Sequence, residues 1–167
     1  MNDMKTYVER FFGELEVFED IEYGHCYKIF IRQAIFEFLD NETKDNAFAV
    51  YRTFFDIYRI ALKGEPNPFI DLLDVLKNYE ENAAVLIDKQ RDHYIHSVNV
   101  FILGLCIYAQ NGRYRDSFNK TVMNRDNYPD AYYTKNEEFF YRWGLASLFH
   151  DVGYPVEIVG RQINKFM

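Results

Sequence analysis

Four histidines are present: His25, His93, His96 and His150. His150 is followed directly by Asp151 inside WGLASLFHDVGYP, residues 143–155. Most of that stretch is apolar, as a buried helix should be. Two ionisable groups on a buried helix are costly unless something pairs with them, and a metal ion is one such partner. His96 opens a second apolar run, HSVNVFILGLCIYA, at 96–109. Two buried helices packed side by side can bring such ends together. Adjacent helical residues point about 100° apart, so His150 and Asp151 can both touch an ion lying between their directions near a helix end. Imidazole plus carboxylate suits Mn, Fe, Zn, Ni or a mixed site.

These residues must be held by helices. The pattern of apolar residues is helical nearly throughout, which predicts an all-α protein. Helices are expected over 4–18, 24–39, 45–63, 69–79 and, briefly, 82–88. A further helix, opened by His96, is apolar on almost every face from Val98 to Ala109, which fits a central position in a bundle. Gly112 is expected to end it. Residues 111–135 are polar and Tyr-rich with Pro129 inside, and read as a long excursion with at most one short helix. Connections of that length are often lids. The tryptophan helix is expected over 136–151, broken by Gly153 and Pro155, and another begins at 156–167. That last amphipathic stretch stops abruptly, so the chain is expected to be the N-terminal part of something longer.

HSVNV at 96–100, followed by LASLFHDVGYP at 145–155, resembles the HD superfamily of metal-dependent phosphohydrolases. The family's pattern is a His at the start of one helix, a His-Asp doublet on a later helix, and a final Asp further on. The resemblance covers about 90–160. It implies a helical bundle of HD-domain type over 90–167, truncated at its C-terminus, behind an N-terminal helical region at 1–89. It implies a divalent metal ion (Mn, Fe, Mg, Zn or Ni) held by His96, His150 and Asp151. A metal ion of this kind polarises a phosphoryl oxygen and supplies hydroxide near neutral pH. The resemblance gives Asp151 the catalytic role, in which it would bridge a second ion or orient water. The expected substrate is a phosphorylated small molecule or a nucleotide.

Three features depart from the family. The final Asp would lie beyond residue 167, and Glu157 follows the turn too closely to replace it. The excursion at 111–135 lengthens the spacing between His96 and His150. Tyr154 and Pro155 stand where many members have Lys. With three of four ligands, this length is expected to be weakly active or inactive. The alternative is a non-catalytic ligand-binding or regulatory helical module.

The other polar residues have plain readings beside functional ones. His93, at i+3 from His96, is either a substrate-binding or second-layer group or a solvated, capping His. Asp92 either orients the other ring nitrogen of His96 or is a helix-start acid. His25 is structural. Arg113, Arg115, Lys120 and Arg125 either grip phosphate or belong to a solvated loop. Five basic and five acidic residues between 110 and 138 favour the loop.

Composition excludes other classes. The chain has 167 residues, 49% hydrophobic and 19% aromatic, a globular composition. Its net charge of -7 argues against bulk binding to nucleic acid or an anionic membrane. Residues 1–89 carry 18 acidic and 10 basic side chains, against 8 and 9 in residues 90–167. The half holding the doublet therefore repels an anionic ligand less. Cys26 and Cys106 sit among apolar residues, as buried thiols in a reducing compartment do. MNDMKTYVERFF has no signal-peptide pattern, and no apolar run approaches the roughly 20 residues needed to span a bilayer. A soluble cytoplasmic protein is expected. The aromatic stripes in 11–58 are expected to be core, and they are also where a partner or second copy would dock.

Overall fold

The structure, a computed structural model, describes residues 2–15, 27–58, 74–75, 78, 92–122 and 135–151. Among these, six helices are present and no strand: α1 (Asn2–Gly13), α2 (Tyr27–Asp40), α3 (Lys44–Tyr58), α4 (His93–Gln110), α5 (Gly112–Val122) and α6 (Lys135–Phe149). The all-α expectation holds. No described helix is long and apolar enough to cross a membrane. The expected helix at 156–167 and the one at 82–88 lie outside the described residues, as does His25.

The helices bury the faces that their spacing dictates. In α2, Ile31, Ala34, Ile35, Phe38 and Leu39 are buried, at i, i+3, i+4, i+7 and i+8. α1 buries Val8, Phe11 and Phe12, with Met4 and Tyr7 packed beside them. Asn41 and Thr43 make the turn to α3. The Thr43 hydroxyl accepts from Asn46 N at 3.2 Å, and the Asn46 amide donates to Asn41 O at 2.8 Å. This is an N-cap with a tied-back loop, so α3 starts at Lys44 without an orphaned first turn. α3 then buries Phe48, Tyr51, Phe54 and Phe55. The aromatic stripes are thus mostly core, although Ile29 and Phe30 on α2 are exposed.

α4 is the central helix. It packs against α1, α3, α5 and α6, which explains why nearly every face is apolar. Asp92 is its N-cap, accepting from Ile95 N at 3.0 Å. Its C-terminus differs from the sequence expectation. α4 ends at Gln110, and Asn111 rather than Gly112 makes the break. Asn111 N donates to Ile107 O at 2.8 Å, while its side-chain oxygen accepts from Tyr114 N at 3.1 Å. One Asn therefore closes α4 and caps α5, and Gly112 becomes the first residue of the next helix.

α5 gives regular structure to the first half of the excursion expected at 111–135. Arg115 donates to Ala109 O at 3.3 Å and to Tyr108 O at 3.5 Å, the carbonyls at the end of α4. A cation there offsets the negative end of the helix. By the helical rise, α5 leaves α4 roughly 20 Å from His96 along the axis. Arg115 is therefore a structural cation, and Arg113 and Lys120 share its distant helix. Arg125 lies outside the described residues.

α4 and α6 run antiparallel. The Tyr108 ring stacks on Phe139 at 3.9 Å between centroids, Trp143 Nε1 donates to Phe101 O at 3.0 Å, and the His96 and His150 rings lie 5.5 Å apart. Rising numbers on one helix meet falling numbers on the other. Glycine permits close packing both here, at Gly104, and where α6 meets α3, at Gly144. A Cβ on Gly104 would meet Trp143 Nε1 at 1.9 Å, and one on Gly144 would meet Phe54 Cε2 at 2.1 Å. Each glycine leaves space that an aromatic ring fills. Tyr108 adds a polar tie. Its buried hydroxyl lies 2.9 Å from Asn119 on α5 and 3.0 Å from Asn136 on α6.

Two predictions follow from this packing. Gly104→Ala and Gly144→Ala each gain about 1 kcal/mol of helix propensity and should nevertheless destabilise by a net ~1–3 kcal/mol through overpacking. Gly144→Ala should cost more, because Phe54 is fully buried whereas Trp143 reaches the surface. Urea unfolding of both variants checks the order. The second concerns alkaline pH. Burial pushes the Cys106 thiol from 9.0 to about 11 and the Tyr108 phenol from 10.0 to about 12. Between the unfolded and folded values the native state holds protons that the unfolded state has lost, so stability falls as pH rises through that window. The urea midpoint should decline from about pH 9 for Cys106 and continue toward 12 for Tyr108. Tyr108→Phe should flatten only the upper part of the decline, and an unchanged slope would show that the phenol is not coupled to folding.

Candidate metal centre

The antiparallel pairing brings the first turn of α4 to the end of α6. Asp92 caps α4, and its second carboxylate oxygen lies 3.4 Å from Lys44 Nζ at the start of α3. Tyr94 is wedged against Phe48 and Tyr51 of α3, at ring separations of 6.3 and 5.6 Å. The turn carrying His93 and His96 is therefore fixed at its cap and on its inner face. The i,i+3 spacing puts both imidazoles on one side of the helix.

The end of α6 is held from three sides. Tyr51, buried on α3, donates its hydroxyl to Leu148 O at 2.8 Å. Ser147 donates its hydroxyl to Trp143 O at 2.6 Å, one turn back. His150 Nδ1 lies 2.7 Å from Ser147 O. A carbonyl only accepts, so Nδ1 carries the proton there, and neutral His150 keeps its lone pair on Nε2.

That Nε2 faces Asp151. Asp151 Oδ2 is 3.4 Å from His150 Nε2, 4.0 Å from His96 Nε2 and 3.3 Å from His93 Nδ1. One carboxylate oxygen thus has three imidazoles around it. Arg142, on the same helix, pairs with the buried carboxylate of Glu138 one turn away.

The geometry can be tested against a metal ion. His96, His150 and Asp151 each offer one ligand atom, all within 4.8 Å of one another. With bonds of about 2.1 Å, two donors on one ion lie at most about 4.2 Å apart. The carboxylate separations of 3.4 and 4.0 Å fall inside that limit. Asp151 therefore fits one ion with either imidazole in a mixed nitrogen and oxygen shell, and the two imidazole donors, bounded only by 4.8 Å, have to lie within the same limit for all three to share it.

His96, His150, Asp151 and His93 are brought together. Asp92 sits beside them, with its oxygens turned to the Ile95 amide and to Lys44. Reading the sequence alone did not single out Tyr51, Lys44 or Ser147. A Tyr inside an aromatic stripe and a Lys at a turn carry no signal for a site elsewhere in the chain. Ser147 was a faint one, a lone hydroxyl within an apolar helix.

Compared with known families, curated proteins and solved structures, the chain gives no match. The functional reading therefore rests on these residues.

Tyr51→Phe removes a side-chain donor from Leu148 O and keeps the ring packing. Leaving a buried carbonyl short of a partner should cost about 1–3 kcal/mol. Because the lost bond sits one residue before Phe149, amide exchange should quicken most at residues 148–151, and uniform quickening along the chain would refute a local anchoring role.

Proposed function

We propose that this chain holds a divalent metal ion through His96, His150 and Asp151 and acts in hydrolysis of a phosphate ester, in a small molecule or a nucleotide. The observation that carries the reading is the approach of two imidazole Nε2 atoms to one carboxylate oxygen at 3.4 and 4.0 Å. The resemblance of HSVNV and LASLFHDVGYP to the HD phosphohydrolases supports the reaction class.

Each residue has a separate task. Neutral imidazoles from His96 and His150 hold an ion without cancelling its charge. The Ser147 carbonyl keeps His150 in the tautomer whose Nε2 can ligate. Asp151 supplies the negative charge, so cation binding relieves a carboxylate held partly out of water. When bound, the ion polarises a phosphoryl oxygen and makes hydroxide available near neutral pH. His96 and His150 are partly open to solvent, which leaves a side for substrate to approach.

Asp151→Asn tests the reading, because it keeps the shape and removes the charge. Thermal unfolding of both proteins is measured with and without Mn²⁺, after elemental analysis of protein purified without chelator. Wild type should show a metal-induced rise in midpoint that the variant loses, with near-equal midpoints in the metal-free proteins. A panel of phosphate mono- and diesters then reports turnover, which Asp151→Asn should abolish. Equal metal-induced shifts in the two proteins would remove Asp151 from the metal shell. Metal binding without turnover of any ester would reduce the chain to a binding module.

A further inference from the structure

We propose that His93 is the positioning residue of this centre: its Nδ1–H donates to Asp151 Oδ2 and holds that oxygen toward His96 and His150. The inference rests on the metal-site reading above.

Asp151 needs such a tether. It lies two residues past the end of α6, in a turn, so no helical ladder fixes its backbone. Its carboxylate can rotate about two side-chain bonds. A ligand that must meet an ion at about 2.1 Å does so best when a neighbour fixes its direction. His93 is that neighbour at 3.3 Å. It is also the best-buried imidazole of the cluster. Its side chain is 10% exposed, against 28% for His96 and 36% for His150. The rigid first turn of α4 carries it, held by the Asp92 cap on one side and by Tyr94 against α3 on the other.

His93 is not a fourth ligand to the same ion. The set whose donor atoms all lie within 4.8 Å of one another contains His96, His150 and Asp151 without it. A carboxylate oxygen has two lone-pair directions. One accepts the Nδ1–H of His93 from the buried side, and the other remains for the ion on the open side. An ionised carboxylate only accepts, so the bond requires the proton on Nδ1. That assigns the His93 tautomer.

The test compares His93→Phe, which keeps ring volume without a donor, with His93→Asn, whose amide nitrogen sits near the Nδ1 position. Mn²⁺ affinity is measured by competition with a chromophoric chelator, and thermal midpoints are recorded without metal. His93→Phe should lose about 10–100-fold in affinity while its metal-free midpoint stays close to that of wild type. His93→Asn should recover most of the loss. Wild-type affinity in His93→Phe would overturn the positioning role and leave the metal centre standing. No Mn²⁺ uptake by wild type would overturn the metal centre and, with it, this inference. If His93→Phe does not fold, long-range ¹H–¹⁵N spectra of metal-free wild type decide the matter. A protonated His93 Nδ1 is expected, and a bare Nδ1 would refute the proposal.

Discussion

The centre depends on how closely α4 and α6 can lie. A helix pair separated by ordinary side chains sits about 8–10 Å apart, depending on what fills the contact. Here Gly104 receives the edge of Trp143, and Gly144 receives Phe54 from α3. Both glycines work by omission, since any Cβ would occupy space already taken by a ring. The exchange locks the register, because a shift of one residue would drive Trp143 into Leu105 or Leu103 instead of the gap at Gly104. The Trp143 indole nitrogen fixes the same register through Phe101 O. Once register and antiparallel direction are set, the first turn of α4 meets the last residues of α6. The imidazoles and the carboxylate converge because the helix middles fit.

Helix ends then set the electrostatics. The start of α4 presents unpaired amides, and the end of α6 presents unpaired carbonyls. Asp92 answers the first by capping Ile95 N, and Tyr51 and His150 answer the second at Leu148 O and Ser147 O. His150 thus satisfies a helix end and, by the same hydrogen bond, fixes which nitrogen faces Asp151. A substitution that leaves the ring in place but removes its Nδ1 donor would unsettle both at once. Lys44 extends the arrangement to α3 by pairing with the second oxygen of Asp92, so the acid at the cap is occupied on both oxygens.

Much of this could be read from the residue pattern. Periodicity located α2, α3 and α4 because one amphipathic or wholly apolar pattern runs through each of them without interruption. It placed the tryptophan helix within a residue or two of Lys135–Phe149. His96, His150 and Asp151 stood out as ligand-type side chains at the ends of apolar helices. What was hidden had a common cause. Gly112 looked like a stop signal, yet the Asn111 side chain let a new helix begin there. Residues 112–122 suggested no more than a short helix in an excursion because their apolar positions are few, and α5 is held by Phe118 against Phe139 of α6 and by polar ties to α4. The contact from His93 to Asp151 spans 58 positions. It follows from the α4–α6 register, at which Gly104 receives Trp143, and a glycine inside an apolar run carries no visible partner.

The burial of the four residues around Asp151 also has a direction. His93 lies deepest, Asp151 and His96 are about equally half-buried, and His150 is the most open to solvent. A site that must admit a cation and then a second molecule needs one face that is dry and fixed and another that is open. Exposure of His150 at the end of α6 would be a cost in a core and is an entry in a centre. The gradient accordingly separates the support of the carboxylate, on the α3 side, from the donors that would meet an incoming ion, on the solvent side. It is the feature of the cluster that packing alone does not require.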